Sequence, residues 1–356
     1  MNEPLDADVD RYLLRPATPE DIDAIERFAT ASAHGITTLP ADRALLLEQL
    51  TRSAHAFASA DDASGEEIYR FVLEDRAMGR VVGTSGITAS AGDGGQFYSY
   101  RNEVIVHASA NLATSNRMHT LHLCHDLTGV TLLTSFYIEP GCEHTLAPQL
   151  LSRGRLLFMA QFAERFAERV AAESPGLADD AGHCPFWSAV GQRFFGMDYP
   201  AAERLAGGRS KAFIAELMPH SPVYVALLPK AAQWAIGQLH PVAALPFAIL
   251  QDEGFDTDTY VDIFDAGPIV EARLATLRSV VRSRLMPAGT QPAASGGSLH
   301  LVSSTQRADF RATLARLPAG APSLPGSITT RLGLRPGMSA RVVPLDSTAT
   351  EGADHA

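Results

Sequence analysis

Long apolar runs are missing from this chain. None approaches the ~20 residues a helix needs to cross a bilayer. The opening MNEPLDADVDRYLLRP is acidic and lacks the apolar stretch of a secretory signal. A cytoplasmic protein with no membrane partner is therefore expected. Cysteine is sparse: Cys124, Cys142 and Cys184 are an odd set with no CxxC spacing. That excludes a disulfide framework and fits reduced thiols. Basic residues are outnumbered, 29 Lys and Arg against 40 Asp and Glu, giving a net charge of −11. Such a balance argues against nucleic acid or an anionic membrane as main partner. It leaves room for a local basic pocket around an anionic ligand. No internal repeat is evident. Metal-ligand patterns are thin: His122, Cys124, His125 and Asp126 cluster in HLCHD, where i, i+3 spacing could put two ligands on one helix face. No second ligand pair stands nearby, so no metal is expected.

What is present is a chain of 356 residues, 46% hydrophobic, enough for a substantial core in one large domain with an appendage or in two domains. LLRPATPEDIDAIERFA reads as a strand running into a helix. Thr18 suits the cap and Pro19 the first turn, Glu20 and Asp21 favour its positive end, and Ile22, Ile25 and Phe28 recur at helical spacing. YRFVLED and GRVVGTSGITAS, separated by RAMG, predict a hairpin. NEVIVHAS is another strand, and LLTSFYIEP a central one ended by Pro140. Residues 150–173 predict a long helix with Leu157, Phe158, Gln161, Phe162 and Phe166 along its apolar stripe and arginines opposite. CPFWSAVGQRFFGMDYP and KAFIAELMP predict helical packing elements. A later helix stops at Gly254 before further strands. From about 286 the composition turns rich in Pro, Gly, Ala and Ser. Residues 286–298 read as a linker, 299–346 as a small β-rich region containing SLHLVSS and SARVVPL, and 347–356 as a disordered tail. The domain before the linker spans 11–285. The fold class expected is α/β (α+β): a mixed sheet flanked by helices, whose central strand leads into a ligand-binding turn.

Two stretches, LRPATPEDIDAI and ALPFAILQDEGFDT, resemble the Gcn5-related N-acyltransferase superfamily. A more specific series runs in order along the chain: TTLPADRALL, FVLED, YSYRNEVIVHAS, PFWSAVGQRFFGMDY, KAFIAELMP, VYVALLP, IGQLHP, LQDEGF and YVDIFDAGP. Together these closely resemble the arginine N-succinyltransferase family over roughly residues 13–286, fading beyond. The resemblance implies an acyl-CoA N-acyltransferase-like fold with an insertion around 176–235. It implies transfer of a succinyl group from succinyl-CoA to the α-amine of arginine, in arginine breakdown. Succinyl-CoA would be a co-substrate, with no permanently bound cofactor. The partners implied are an arginine-like amine, the acyl-CoA, and a homologous subunit in a homo- or hetero-oligomer.

Amide formation from a thioester needs a neutral amine, a stabilised oxyanion and a departing thiolate. His240 in GQLHP matches the histidine that the family uses as its acid. Alone, a His before Pro is more often structural; the resemblance reverses those odds. Laid on the family's central strand, the acyl-CoA contact falls at Phe136, with Ile138 following on the same strand, and its role would be largely main-chain. Tyr100, Arg101, His107 and Glu216 are candidates for the amine pocket, where a guanidinium needs carboxylates or carbonyls and an α-carboxylate needs a donor. Each taken singly reads more readily as structural.

One loop departs from the pattern. After the central strand the family shows roughly Arg/Gln-x-x-Gly-x-Gly/Ala, so that successive N–H groups at a helix N-terminus hold the pyrophosphate. In EPGCEHTLAPQLL, Glu143 takes the basic position and Leu146 and Pro148 replace the glycines. Pro148 has no N–H to offer. In one reading Pro148 is a first-turn helix proline and CoA binds more weakly, with Arg153 and Arg155 supplying charge from the helix. In the other, CoA binding is lost and the chain is a non-catalytic binding or partner subunit. LHLCHDLTG also departs, with His125 and Leu127 where the family shows Asn and His. A changed donor or acceptor is therefore a further alternative.

Overall fold

The computed structural model describes residues 8–32, 38–59, 63–92, 94–206, 216–218, 220–292 and 296–345. Strand β1 (Tyr12–Pro16) leads through a 3-10 turn at Pro19–Asp21 into helix α1 (Ile22–Ala31). Asp21 secures that entry: its carboxylate accepts from the Thr18 N–H at 2.8 Å and pairs with Arg15 at 2.8 Å. Helix α2 (Arg43–Ala58) starts on Asp42, whose side chain accepts from the Ala44 and Leu45 N–H groups, the usual way an Asp satisfies orphan donors.

The expected hairpin is β2 (Ile68–Asp75) and β3 (Arg80–Thr88). Its turn closes because Asp75 accepts from the N–H groups of Ala77 and Met78, and because Gly79 takes a φ of +64°. Strands β4 (Ser99–Ser109) and β5 (Thr114–Cys124) form a second, longer hairpin. HLCHD therefore sits at a strand end and its turn, not on a helix. Central strand β6 (Thr131–Ile138) is followed by helix α3 (Ala147–Gln161) and strand β7 (Arg169–Glu173).

Helix α3 is shorter than expected and has no solvent face of arginines. It ends at Gln161; a 3-10 turn at Ala163–Arg165 intervenes, and the last residues of the predicted helix are β7. Val170, Ala171 and Ala172 pair with neighbouring strands, and those ladders override a helical pattern. Nearly every residue of α3 is buried, Arg153 and Arg155 included. Helices at Pro185–Ala189, Gly191–Phe195, Tyr199–Ala206 and Lys230–Ala235 precede helix α4 (Ala244–Glu253), which stops at Gly254 with φ +102°. KAFIAELMP lies outside the described residues except for 216–218.

The remaining strands are β8 (Val223–Tyr224), β9 (Asp256–Val261), β10 (Pro268–Arg273), β11 (Arg284–Pro287), β12 (Ser298–Ser304), β13 (Ala312–Leu317) and β14 (Ser339–Pro344). All fourteen belong to one sheet, in the order β11-β14-β12-β13-β1-β2-β3-β6-β7-β10-β9-β4-β5-β8. Every pairing is antiparallel except β6 with β7.

The C-terminal region joins the sheet directly. β13 pairs with β1 through Leu13↔Thr313 and Leu14↔Ala312. Phe310, just ahead of β13, packs against Phe71 and Phe158 in the same core as α3, with ring centroids 5.8 and 5.0 Å away. Strand β11 begins at 284, and its residues 286 and 287 fall within the expected linker. Residues 347–356, expected as a tail, lie outside the described residues. A second core gathers Tyr100, Leu121, Phe186, Trp187 and Phe264 between the β4–β5–β9 end of the sheet and the short helices.

Candidate active site

The parallel strands β6 and β7 frame the candidate site. β6 and β7 pair only at Thr131↔Val170 and Leu132↔Ala171. Beyond those residues β6 runs on to Ile138 and β7 to Glu173, and a cavity of about 90 Å³ opens between them. Its walls are β6 from Leu132 to Phe136, the end of β7 with Ser174 and Pro175, and Val242, Ala243 and Phe247 from the α4 side. Thr38 and Arg155 complete it.

A β-bulge shapes the β6 wall. Thr84↔Tyr137 and Gly86↔Thr134 leave two residues of β6, Ser135 and Phe136, facing the single Ser85 of β3. Ser135 adopts φ +54°, a left-handed conformation uncommon for a serine. Thr38 holds it there: the Ser135 N–H donates to Thr38 Oγ1 at 3.0 Å, and Ser135 Oγ donates to the Thr38 carbonyl at 2.7 Å. The ladder is thereby broken next to Phe136, where the resemblance placed the acyl contact, and both Ser135 and Phe136 line the cavity.

Arg155 forms the inner wall. Its side chain is 2% exposed. It donates to the Ser152 carbonyl and hydroxyl at 3.2 Å, and to the Gly86 and Thr134 carbonyls at 3.4 Å. Its guanidinium lies 5.7 Å from the centre of the Phe136 ring. No carboxylate among the described residues pairs with it, and burial alone pushes its pKa down to about 9. Arg70, on β2, is a second such cation. It donates to Gln49 Oε1 at 2.6 Å, while its Nη1 is buried without a hydrogen-bond partner. Burial pushes its pKa down to about 10. Gly86 lies between the two arginines: a Cβ there would stand 3.2 Å from Arg70 Nη1 and 2.7 Å from Thr134 Oγ1. Arg153 is different. It is equally buried, but pairs with Glu253 at 2.6 Å and with Asp252.

His240 stands at the cavity rim. Its N–H donates to the carbonyl of Pro175, a wall residue, at 2.8 Å, and it caps the 3-10 turn Pro241–Ala243 that supplies Val242 and Ala243. Its Nδ1 accepts from the Val242 N–H at 3.4 Å. A neutral ring whose Nδ1 accepts carries its proton on Nε2, the form that can donate to a leaving group. Ile138, at the end of β6, packs over Gly83 rather than into the cavity.

The four candidates for the amine pocket do not meet at this cavity. Tyr100 is fully buried in the second core, 6.0 Å from the Phe186 ring, and burial raises its pKa. Arg101 pairs with Glu103 at 2.5 Å and Asp126 at 2.6 Å. His107 is exposed near the tip of the β4–β5 hairpin against Tyr224, and Glu216 is exposed. Among the described residues no three His, Cys, Asp or Glu are grouped to hold a metal.

The altered loop has an internal anion. Asp8 is 4% exposed, and its Oδ2 accepts from the Leu146 N–H at 3.0 Å. The Ala147 N–H donates to Thr145 Oγ1 at 3.1 Å. Pro148 occupies the first turn of α3 and has no N–H. Residues 146 to 148 thus present no spare donor to a phosphate. Glu143 is exposed beside them. Sequence reasoning missed Asp8, Ser135 and Arg70, whereas Thr38 lies in the family stretch TTLPADRALL. Only Arg70 carried a signal, as a charge in the otherwise apolar run YRFVL.

Comparison with known proteins gives the family and the fold. The family described as arginine N-succinyltransferase beta subunit matches residues 12–279. The arginine N-succinyltransferase subunit alpha of Pseudomonas aeruginosa is 47% identical over 335 residues, covering 93% of this chain and 99% of that protein. The arginine N-succinyltransferase of Salmonella paratyphi B is 39% identical over 305 residues, 85% of this chain and 88% of that protein. A solved structure, arginine/ornithine succinyltransferase subunit AI of Pseudomonas aeruginosa, superposes with a TM-score of 0.87 at 43% identity, covering 95% of this chain and all of that one. The likeness therefore extends past residue 286, where the motifs alone had faded. On a family match over most of its length, and on a shared fold built around the same sheet, this chain belongs to the arginine N-succinyltransferase family.

Proposed function

We propose that this chain is an N-acyltransferase that moves a succinyl group from succinyl-CoA to the α-amine of arginine or a closely related basic amino acid, in arginine catabolism. The observation that carries the reading is the cleft between β6 and β7. A bulged main chain at Ser135 and Phe136 faces a half-buried histidine-bearing turn across a cavity that holds a buried cation. The names of the relatives supply the reaction class.

In this mechanism the neutral amine attacks the thioester carbonyl directly, with no covalent enzyme intermediate. Main chain near Phe136 steadies the oxyanion. His240 gives its Nε2 proton to the departing thiolate and takes up the proton released by the amine. With residues 146–148 offering no donor, the proposal puts the donor's main purchase on its acyl and pantetheine portions rather than on the diphosphate. No permanently bound cofactor or metal takes part. The protein acts in the cytoplasm, in keeping with three unpaired cysteines. It assembles with a homologous subunit, by analogy with relatives whose names specify alpha and beta subunits.

Thiol release from succinyl-CoA on adding arginine tests the reaction, and His240→Ala tests the mechanism. The variant is expected to lose ~100-fold or more in kcat, the usual range for a positioned acid–base group, with little change in donor affinity. Near-full turnover would remove His240 from the chemistry.

A further inference from the structure

Arg155 is the strongest unexplained group in the molecule. A buried cation is ordinarily paired with a carboxylate or bound to an anion, because taking the charge out of water is costly. Arg155 is only 2% exposed, in a chain of net charge −11, and pairs with no acid among the described residues. Its bonds, at 3.2 to 3.4 Å, are all to neutral oxygens and lie at the long end of the hydrogen-bond range. It lines the cavity beside Phe136. On the far side of Gly86 stands a second buried positive charge, Arg70, which does not itself line the cavity.

We propose that Arg155 binds the free carboxylate of the donor's acyl chain and so selects a dicarboxylic acyl group over a plain fatty one. This deepens the acyltransferase reading and rests on it. The geometry favours the donor over the acceptor as the source of that carboxylate. A thioester carbonyl set between Phe136 and the His240 turn has its acyl chain pointing inward, and the free carboxylate of a succinyl group lies three bonds beyond that carbonyl. The acceptor amine must come from the outer side to reach the same carbon. A guanidinium offers a carboxylate two parallel donors, and seating it there replaces the weak carbonyl contacts with an ion pair.

The test compares thiol release from succinyl-CoA and butyryl-CoA, with arginine and with agmatine, which lacks the α-carboxylate. The proteins are the wild type, Arg155→Met and Arg155→Lys. Wild type is expected to favour succinyl-CoA by about 100-fold in kcat/KM, the scale of a charge-assisted contact. Arg155→Met is expected to abolish that preference and leave the arginine-to-agmatine ratio unchanged; Arg155→Lys is expected to restore part of it. An unchanged donor ratio in Arg155→Met overturns the proposal. Collapse of the arginine-to-agmatine ratio instead would move the contact to the acceptor and equally overturn it. If wild type releases no thiol from any donor, the transferase reading fails separately. Melting-temperature titrations with the two acyl-CoAs then decide the site. A rise specific to succinyl-CoA and absent in Arg155→Met keeps the carboxylate site; equal rises with both donors sink it. Should Arg155→Met fail to fold, the wild-type titration decides alone: a larger rise with succinyl-CoA supports the carboxylate site, and equal rises overturn it.

Discussion

Arg153 and Arg155 lie two residues apart on α3, equally buried, and on opposite flanks of the helix. On the outer flank Arg153 meets Glu253 and Asp252 of α4, and Glu253 also accepts from the Ser279 N–H at 2.7 Å and Ser279 Oγ at 2.8 Å. On the inner flank Arg155 meets only carbonyls, a hydroxyl and an aromatic ring. The first is a clamp between two helices, closed within the protein. The second is a charge without an acid beside it among the described residues. In the reading proposed above, the same residue type on the same helix serves structure on one side and binding on the other. What separates the two roles is the presence of an acid, not burial.

Removing that acid should make the outer flank resemble the inner one. Glu253→Ala leaves Arg153 buried beside only the half-exposed Asp252 and strips Ser279 of its acceptor. A loss of about 3–5 kcal/mol is expected, read by urea denaturation. A loss under ~1 kcal/mol would mean that α3 tolerates an unpaired cation on either flank, and Arg155 would cease to be unusual.

The helix start sharpens the contrast in the other direction, since there the Leu146 N–H, which the family pattern would give to a phosphate, is already bonded to the Asp8 carboxylate. Asp8→Ala should lower stability by ~1 kcal/mol, as loss of a cap does. It should also raise affinity for CoA, by freeing the Leu146 N–H for a phosphate. Calorimetric titration with CoA checks this. Replacing Leu146 and Pro148 with glycine and Glu143 with arginine should raise the affinity further. Unchanged affinity in both variants would show that the diphosphate lies elsewhere.

A further effect concerns buried charge of the opposite sign, in the second core. Burial, helped by the neighbouring Asp262, raises the Asp265 pKa to about 7, even though it accepts from the N–H groups of Gly267 and Gly176 and from the Tyr199 hydroxyl. Unfolded, the same carboxyl titrates near its ordinary 3.8. Between these values the folded state holds a proton that the unfolded chain has lost, so rising pH favours unfolding across that window. Stability is expected to fall as pH goes from 5 to 7, and by less than about 1 kcal/mol more from 7 to 8. Asp265→Asn should flatten the profile, as followed by thermal melts. A profile that rises with pH would place the charged form of Asp265 in the fold.

Much of the architecture could be read in the sequence because the signals were local. The β2–β3 hairpin was written in two β-rich runs around RAMG, α4 in its Gly254 stop, and β6 in an apolar run closed by Pro140. The end of α3 was not legible. Residues 162–173 keep a helical pattern, and only strand partners far along the chain make β7 of them. Strand β13, in ATLARL, escaped notice because a short half-apolar run has no character until β1 and β12 flank it. For the site, the family resemblance pointed to His240 and Phe136; Phe136 lines the cavity and His240 borders it. Tyr100, Arg101, His107 and Glu216 were drawn from stretches rich in polar and aromatic residues; the fold spreads them over the second core, the β4–β5 hairpin and the surface.

By itself the sequence determined the family, the run of elements around a mixed sheet, the candidate acid at His240, and the loss of a glycine-rich phosphate loop. The elements are matters of residue type and near-neighbour spacing; the candidate acid and the altered phosphate loop are what the family resemblance implies. Tertiary structure alone decided that β6 and β7 part after two residue pairs, that Asp8 closes the start of α3, and that Arg153 is paired while Arg155 is not. Each of these depends on which groups meet from positions dozens to more than a hundred residues apart, or on a carboxylate that fails to arrive, and in a folded interior the energy of a charge is set by its neighbours.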